Sequence, residues 1–153
     1  MDNYISATRK LLLLLFFISF SHMSAAVCVQ ANLAGIWYLN GFSGDTLESS
    51  FLETDFCKIK INASGSILGN ASSCKARVPE GVFTVNLTGG NLNLNAGCRI
   101  TGRINYCDPE LQQCGFAIRI DQAQLDRGKT VMSISGFDST DTEAVVHFVG
   151  IKR

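Results

Sequence analysis

Six cysteines, Cys28, Cys57, Cys74, Cys98, Cys107 and Cys114, are the residues with the most distinctive chemistry in this sequence. An even set in a short chain reads as three disulfides formed in an oxidising compartment. Zinc is the competing use, but the short CxxC pairs that metal knuckles require are missing. Only Cys107–Cys114 can be argued locally, because it closes the loop 108–113 between two strand-like runs. Cys57–Cys74 is the plausible second pair, and Cys28–Cys98 is what remains. With the thiols paired, general-base or nucleophilic chemistry would fall to His147, the sole imidazole beyond the leader described below. It stands between Val146 and Phe148 on an apolar run, the setting of a wall histidine with one hydrogen bond. No catalytic residue is assigned, and the chain is expected not to be an enzyme.

Two charged clusters could bind rather than react. Arg99 and Arg103 share one strand face, and Arg119 lies alongside if the Cys107–Cys114 loop joins their strands. Three guanidinium groups with Thr101 and Asn105 would suit an anionic ligand or an acidic partner, against the ordinary reading of a solvated sheet face. Asp138, Asp141 and Glu143 sit among Ser139, Thr140 and Thr142, an oxygen-rich set of the kind calcium uses. The spacing of a calcium loop is absent, so a solvated hairpin tip is expected there, with no metal and no cofactor. Asn62, Asn70 and Asn86 head glycosylation sequons, Asn86 on an outward-facing strand position.

The elements that hold these residues are strands. Cys57, Ile59 and Ile61 alternate with Lys58 and Lys60; Phe83, Val85 and Leu87 alternate with Thr84, Asn86 and Thr88. Cys98, Ile100, Ile104 and Tyr106 oppose Arg99, Thr101, Arg103 and Asn105, and Phe116, Ile118 and Ile120 oppose Arg119 and Asp121. Period two marks half-buried strands, and no segment beyond the leader has a helical period. Ala123 and Leu125 fall on the opposite parity, which predicts a bulge near Asp121-Gln122. Turns are expected at 62–65, at Thr88-Gly89-Gly90 and at 126–129. The run 144–151 is apolar on both faces apart from His147, so it should be buried or close a sheet. About eight or nine strands are expected, as a small antiparallel meander barrel tied by disulfides, since closure removes sheet edges. A β-sandwich or short β-solenoid is the alternative.

Arg9 and Lys10 precede an apolar run from Leu11, followed by Ser24-Ala25-Ala26. This is the pattern of a secretory signal peptide over 1–26, too short for a membrane span. A single all-β domain is expected over 27–153, secreted or periplasmic and off the membrane after cleavage. Of its charged residues 11 are basic and 12 acidic, so there is no electrostatic case for nucleic acid.

The stretch Leu33-Ala34-Gly35-Ile36-Trp37-Tyr38 resembles the opening strand of calycin barrels, the group of lipocalins, avidins and bacterial lipocalin-like protease inhibitors. The resemblance implies a Trp packed across a barrel floor beneath a basic residue from near the chain end, here Lys152 or Arg153. Ile59 to Gly69 resembles the second avidin hairpin. The tryptophans that stack on ligand in avidins have no counterpart, so the resemblance implies architecture and no particular ligand.

Two functions fit. In the first, the barrel interior takes a small apolar or amphipathic molecule, with Trp37, Phe83, Val85, Ile100, Ile118 and Phe148 lining its cavity. In the second, the interior is filled and the loop within Cys107–Cys114 binds a protein, as an inhibitor does. The partner is therefore a small molecule or a protein.

Overall fold

The computed structural model describes residues 27–45, 52–108, 113–139 and 144–153; the predicted leader lies outside them. Eight strands, β1 (Gly35–Asp45), β2 (Leu52–Ile61), β3 (Ser73–Val78), β4 (Gly81–Leu94), β5 (Arg99–Asp108), β6 (Gln113–Leu125), β7 (Val131–Asp138) and β8 (Ala144–Lys152), follow one another in chain order. Each pairs antiparallel with its successor, and β8 returns to β1, closing the barrel. Sandwich and solenoid are thereby excluded. Val145, Val149 and Ile151 of β8 are exposed, so this strand closes the sheet with its outer face uncovered.

Parity accounts for most of the interior. Trp37 and Leu39 of β1, Ile59 and Ile61 of β2, Ile100 and Ile104 of β5, and Met132 and Ile134 of β7 are all buried. Where the alternation would send apolar residues outward, the ladder slips. Between Ile120 and Gln122 the β6–β7 register shifts by the residue Asp121, which returns Ala123 and Leu125 to the core as their parity requires. The same device corrects one expectation. Thr88-Gly89-Gly90 is no turn but the interior of the 14-residue β4, which pairs with β5 across a register shift between Leu87 and Gly89. One bulge thus serves in place of a hairpin, and two expected strands merge.

Tight strand crossing explains a glycine at this corner. Gly102 has φ +138°, and a Cβ there would stand 2.0 Å from the carbonyl oxygen of Asn91. Only glycine lets β5 approach β4 so closely.

The two ends of the barrel differ. At one, the chain before β1 forms a single 3-10 turn, Gln30–Leu33, that lies across the opening. The Gln30 amide holds it there, donating to Leu92 O at 2.7 Å and accepting from Leu94 N at 2.7 Å. Leu33 and Trp37 are wholly buried beneath it, and Trp37 Nε1 donates to Leu33 O at 2.7 Å. Lys152 Nζ lies 5.6 Å from the Trp37 ring centre and donates to Asn32 O at 2.9 Å. The basic residue implied by the calycin resemblance is thus Lys152; Arg153 lies against Tyr38 instead. The other end, where β1, β3, β5 and β7 finish and β2, β4, β6 and β8 begin, has no such plug among the described residues.

Disulfides join Cys28 to Cys98, Cys57 to Cys74 and Cys107 to Cys114. The first ties the plug segment to the barrel. The second links directly paired residues of β2 and β3, and the third those of β5 and β6.

Candidate functional site

The packed floor gives way, toward the unplugged end, to a cavity of about 450 Å³ inside the barrel. Its wall is largely apolar: Leu39, Ile59, Phe83, Val85, Leu87, Ile104, Ile118, Val146 and Phe148, with Ala76 on β3 leaving room. Of the residues expected to line an interior site, Phe83, Val85, Ile118 and Phe148 do so. Trp37 and Ile100 do not. Both are at zero exposure, consumed in packing the floor beneath the plug.

The polar part of the wall comes from residues that alternation reasoning passed over. Ser43, Glu53, Asp55, Tyr106 and Asp138 all face the cavity. Asp55 and Asp138 are each only 8% exposed. The Ser43 hydroxyl lies 2.9 Å from Asp55 Oδ2 and 3.3 Å from Glu53 Oε2, and its single proton goes to the nearer acceptor. Tyr106 OH donates a hydrogen bond to Asp138 Oδ2. Asp138 therefore does not belong to a solvated tip. It ends the inward series Met132, Ile134, Gly136 of β7, while 140–143, with Asp141 and Glu143, lie outside the described residues. The signal was available: Glu53 and Asp55 share the parity of Cys57 and Ile59 just as Asp138 shares that of Ile134. Carboxylates are usually outward, and that habit hid it.

Burial pushes the Asp55 carboxyl above its ordinary value of 3.8, because desolvation outweighs the opposing hydrogen bond from Ser43. A raised folded value means that the fold binds the proton more tightly than the unfolded chain does. The stability this contributes is fully present below about pH 3.8 and is lost as pH rises through the folded value. Asn at this position mimics the protonated form at all pH. Asp55→Asn should therefore raise the melting temperature near neutral pH by a few degrees, a gain that disappears in acid. Thermal melts of both proteins between about pH 3 and about pH 7 test this.

The remaining candidates lie on the outer surface. Arg103 and Arg119 are direct cross-strand neighbours, and Arg119 rests over the Phe137 ring at 5.8 Å. They share a shallow groove with Asn91, Asn93 and Asn105. Arg99 is not with them; its guanidinium donates to Asp121 O at 3.3 Å. His147 faces outward, its Nδ1 2.7 Å from Ser135 Oγ and its ring 5.5 Å from that of Phe42. This Ser–His contact is outside the cavity, on an open sheet face. Asn70 and Asn86 are exposed, whereas the Asn62 side chain is folded into its turn, accepting from Ser64 N and Ser66 N. The expected protein-binding loop falls on 109–112, outside the described residues.

Fold and site together define a small disulfide-tied, eight-stranded antiparallel barrel with one packed end and one hollow end. No family model matches the sequence, and no curated protein does. Among solved structures, a redesigned β-barrel is similar, with TM-score 0.51 and 14% identity over 87% of this chain and 99% of that one. That likeness concerns the fold.

Proposed function

We propose that this chain is an exported, calycin-like binding protein that takes a small apolar or amphipathic molecule into its hollow end, without catalysis. The observation that carries the reading is the cavity itself. An eight-stranded barrel is narrow enough for side chains to fill it, and the lower half of this one is filled. The hollow half is an apolar chamber with a few polar groups, the usual composition of a small-molecule site. Three disulfides support export into an oxidising compartment. Among the described residues no helix is long and apolar enough to cross a membrane.

Ala76→Trp provides the test, since Ala76 is buried on β3 and lines the cavity, so a large ring there occupies the ligand's volume. Native mass spectrometry of the wild-type protein, purified without detergent, should give an excess mass that is lost on denaturation and absent from Ala76→Trp. Addition of 1-octanol should likewise give a one-to-one complex with the wild type, weakened at least about tenfold in the variant. Failure to bind both a retained ligand and added alkyl probes would overturn the reading.

A further inference from the structure

We infer that the outer face of β1, β2, β3 and β8 docks on an anionic lipid bilayer, with Phe42, Phe56 and Val149 in the bilayer surface and Lys58, Lys75 and Arg77 on its head groups. This face is separate from the cavity, and its role does not depend on the cavity's. Strand register sets its residues out in rows. One row runs Lys75, Phe56, Asn40, Val149 from β3 through β2 and β1 to β8. The row on one side of it runs Arg77, Thr54, Phe42, His147, and the row on the other Ser73, Lys58, Tyr38, Ile151. Cations thus stand on β2 and β3 and large apolar side chains on β1 and β8, with Phe56 of β2 at the seam.

Both halves of this face are unusual for a wall turned to water. Phe42 is 44% exposed, Phe56 50%, Val149 46% and Ile151 56%. Among the described residues β5 and β6 expose no large apolar side chain, so the exposed apolar residues are gathered on one side of the barrel. A gathered patch of this kind marks a contact surface. The charge is as one-sided. Among the described side chains of β1, β2, β3 and β8 the acids are Glu53 and Asp55, and both line the interior cavity. Lys58, Lys60, Lys75 and Arg77 are exposed, and no ion pair among the described residues engages them. The nearly even count of acids and bases conceals this segregation, so composition gives no reason to expect a membrane contact.

Of the surfaces that could cover such a face, a bilayer supplies the complement in the right order. Its anionic head groups meet Lys75 and Arg77, whose long stems let the charge reach them while the Phe42 and Phe56 rings sit deeper. Arg153 extends the pattern, its guanidinium 5.2 Å from the Tyr38 ring centre. A second copy of the chain is a poorer complement. A two-fold contact through this face would bring Lys58, Lys75 and Arg77 toward their own equivalents, like charge against like.

Flotation with lipid vesicles tests this, using residues 27–153, which hold all eight strands and all three disulfides and lack the apolar leader. The protein should bind vesicles of phosphatidylcholine containing about one-third phosphatidylglycerol, and bind pure phosphatidylcholine at least about tenfold more weakly. Binding should fall at least about tenfold in about 0.5 M salt. Lys58→Gln/Lys75→Gln and Phe42→Ser/Phe56→Ser should each weaken it about tenfold or more, whereas Arg103→Gln/Arg119→Gln on the polar side should leave it within about twofold. All six side chains are exposed, and melting temperatures near that of the wild type establish that each variant is folded. No binding to either vesicle would overturn the assignment. So would an equal loss in Arg103→Gln/Arg119→Gln, which would mean that any basic residue serves. Soluble polyglutamate bound as tightly as the vesicles, and unaffected by the serine substitutions, would assign the face to an acidic protein. A dimer that dissociates in Phe42→Ser/Phe56→Ser would assign it to a second copy, and either result would overturn the bilayer reading.

Discussion

Removing the Cys28–Cys98 disulfide should destabilise the barrel more than removing either of the others. Its half-cystines are separated by 70 positions, against 17 for Cys57–Cys74 and 7 for Cys107–Cys114. A cross-link acts largely by restricting the unfolded chain, and the restriction grows with the logarithm of the closed loop. That scaling gives about 4.4 kcal/mol for the longest loop, about 3 for the middle one and about 2.4 for the shortest. The longest bridge has a second role in the folded state. The Gln30–Leu33 turn that plugs the barrel is short, and Cys28 is its covalent anchor. Paired alanine substitutions should keep both sites apolar, since Cys28 and Cys98 are buried. Denaturant titration of the three double variants measures the ranking directly. A Cys28→Ala/Cys98→Ala protein as stable as the Cys107→Ala/Cys114→Ala one would contradict both the loop-length argument and the anchoring role of the plug.

The second large effect concerns the floor. Trp37→Ala should cost about 3–5 kcal/mol, the range for deleting a fully buried large aromatic side chain. Trp37 is at zero exposure and donates its Nε1–H to Leu33 O of the plug. Trp37→Phe is the informative companion. It keeps much of the ring but removes the Nε1–H that Leu33 O accepts at 2.7 Å, leaving that buried carbonyl without this donor. Loss of the hydrogen bond should cost about 1–3 kcal/mol. Lys152 reads the same ring from outside, its ammonium over the indole and bonded to Asn32 O. Urea denaturation of the two variants separates volume from hydrogen bond. If Trp37→Phe matched the wild type, the indole would be only filler, and the plug would be held by Gln30, Cys28 and Lys152.

Much of this architecture is legible along the chain. Alternation at Cys57–Ile61, Phe83–Leu87 and Ile100–Tyr106 identified the strands, and the parity break at Asp121-Gln122 identified a bulge. The cysteine pairing followed from locality for Cys107–Cys114 and from what was left for Cys28–Cys98. Gly89-Gly90 misled because a glycine pair suits a hairpin turn and a wide-φ bulge equally well; the local chain does not know whether a partner strand continues past it. Partner β5 does continue, and so β4 runs through.

The candidate site divides along the same line. Residue type and parity by themselves determined an all-β chain and most of the inward apolar set, because each depends only on the period of the backbone and the solvent preference of a side chain. How far up the barrel the filling reaches was decided only in three dimensions. Trp37 and Ile100 have the same sequence signature as Phe83 and Phe148, yet the first two are spent on the floor and the second two face a chamber. The difference comes from the plug across one end and from small Ala76 on the wall at the other. Likewise, nothing local distinguishes Asp55 and Asp138 from solvated carboxylates. Barrel closure, by carrying β8 back to β1, puts their strands around one hollow and brings two acids distant in sequence to the wall of a single cavity.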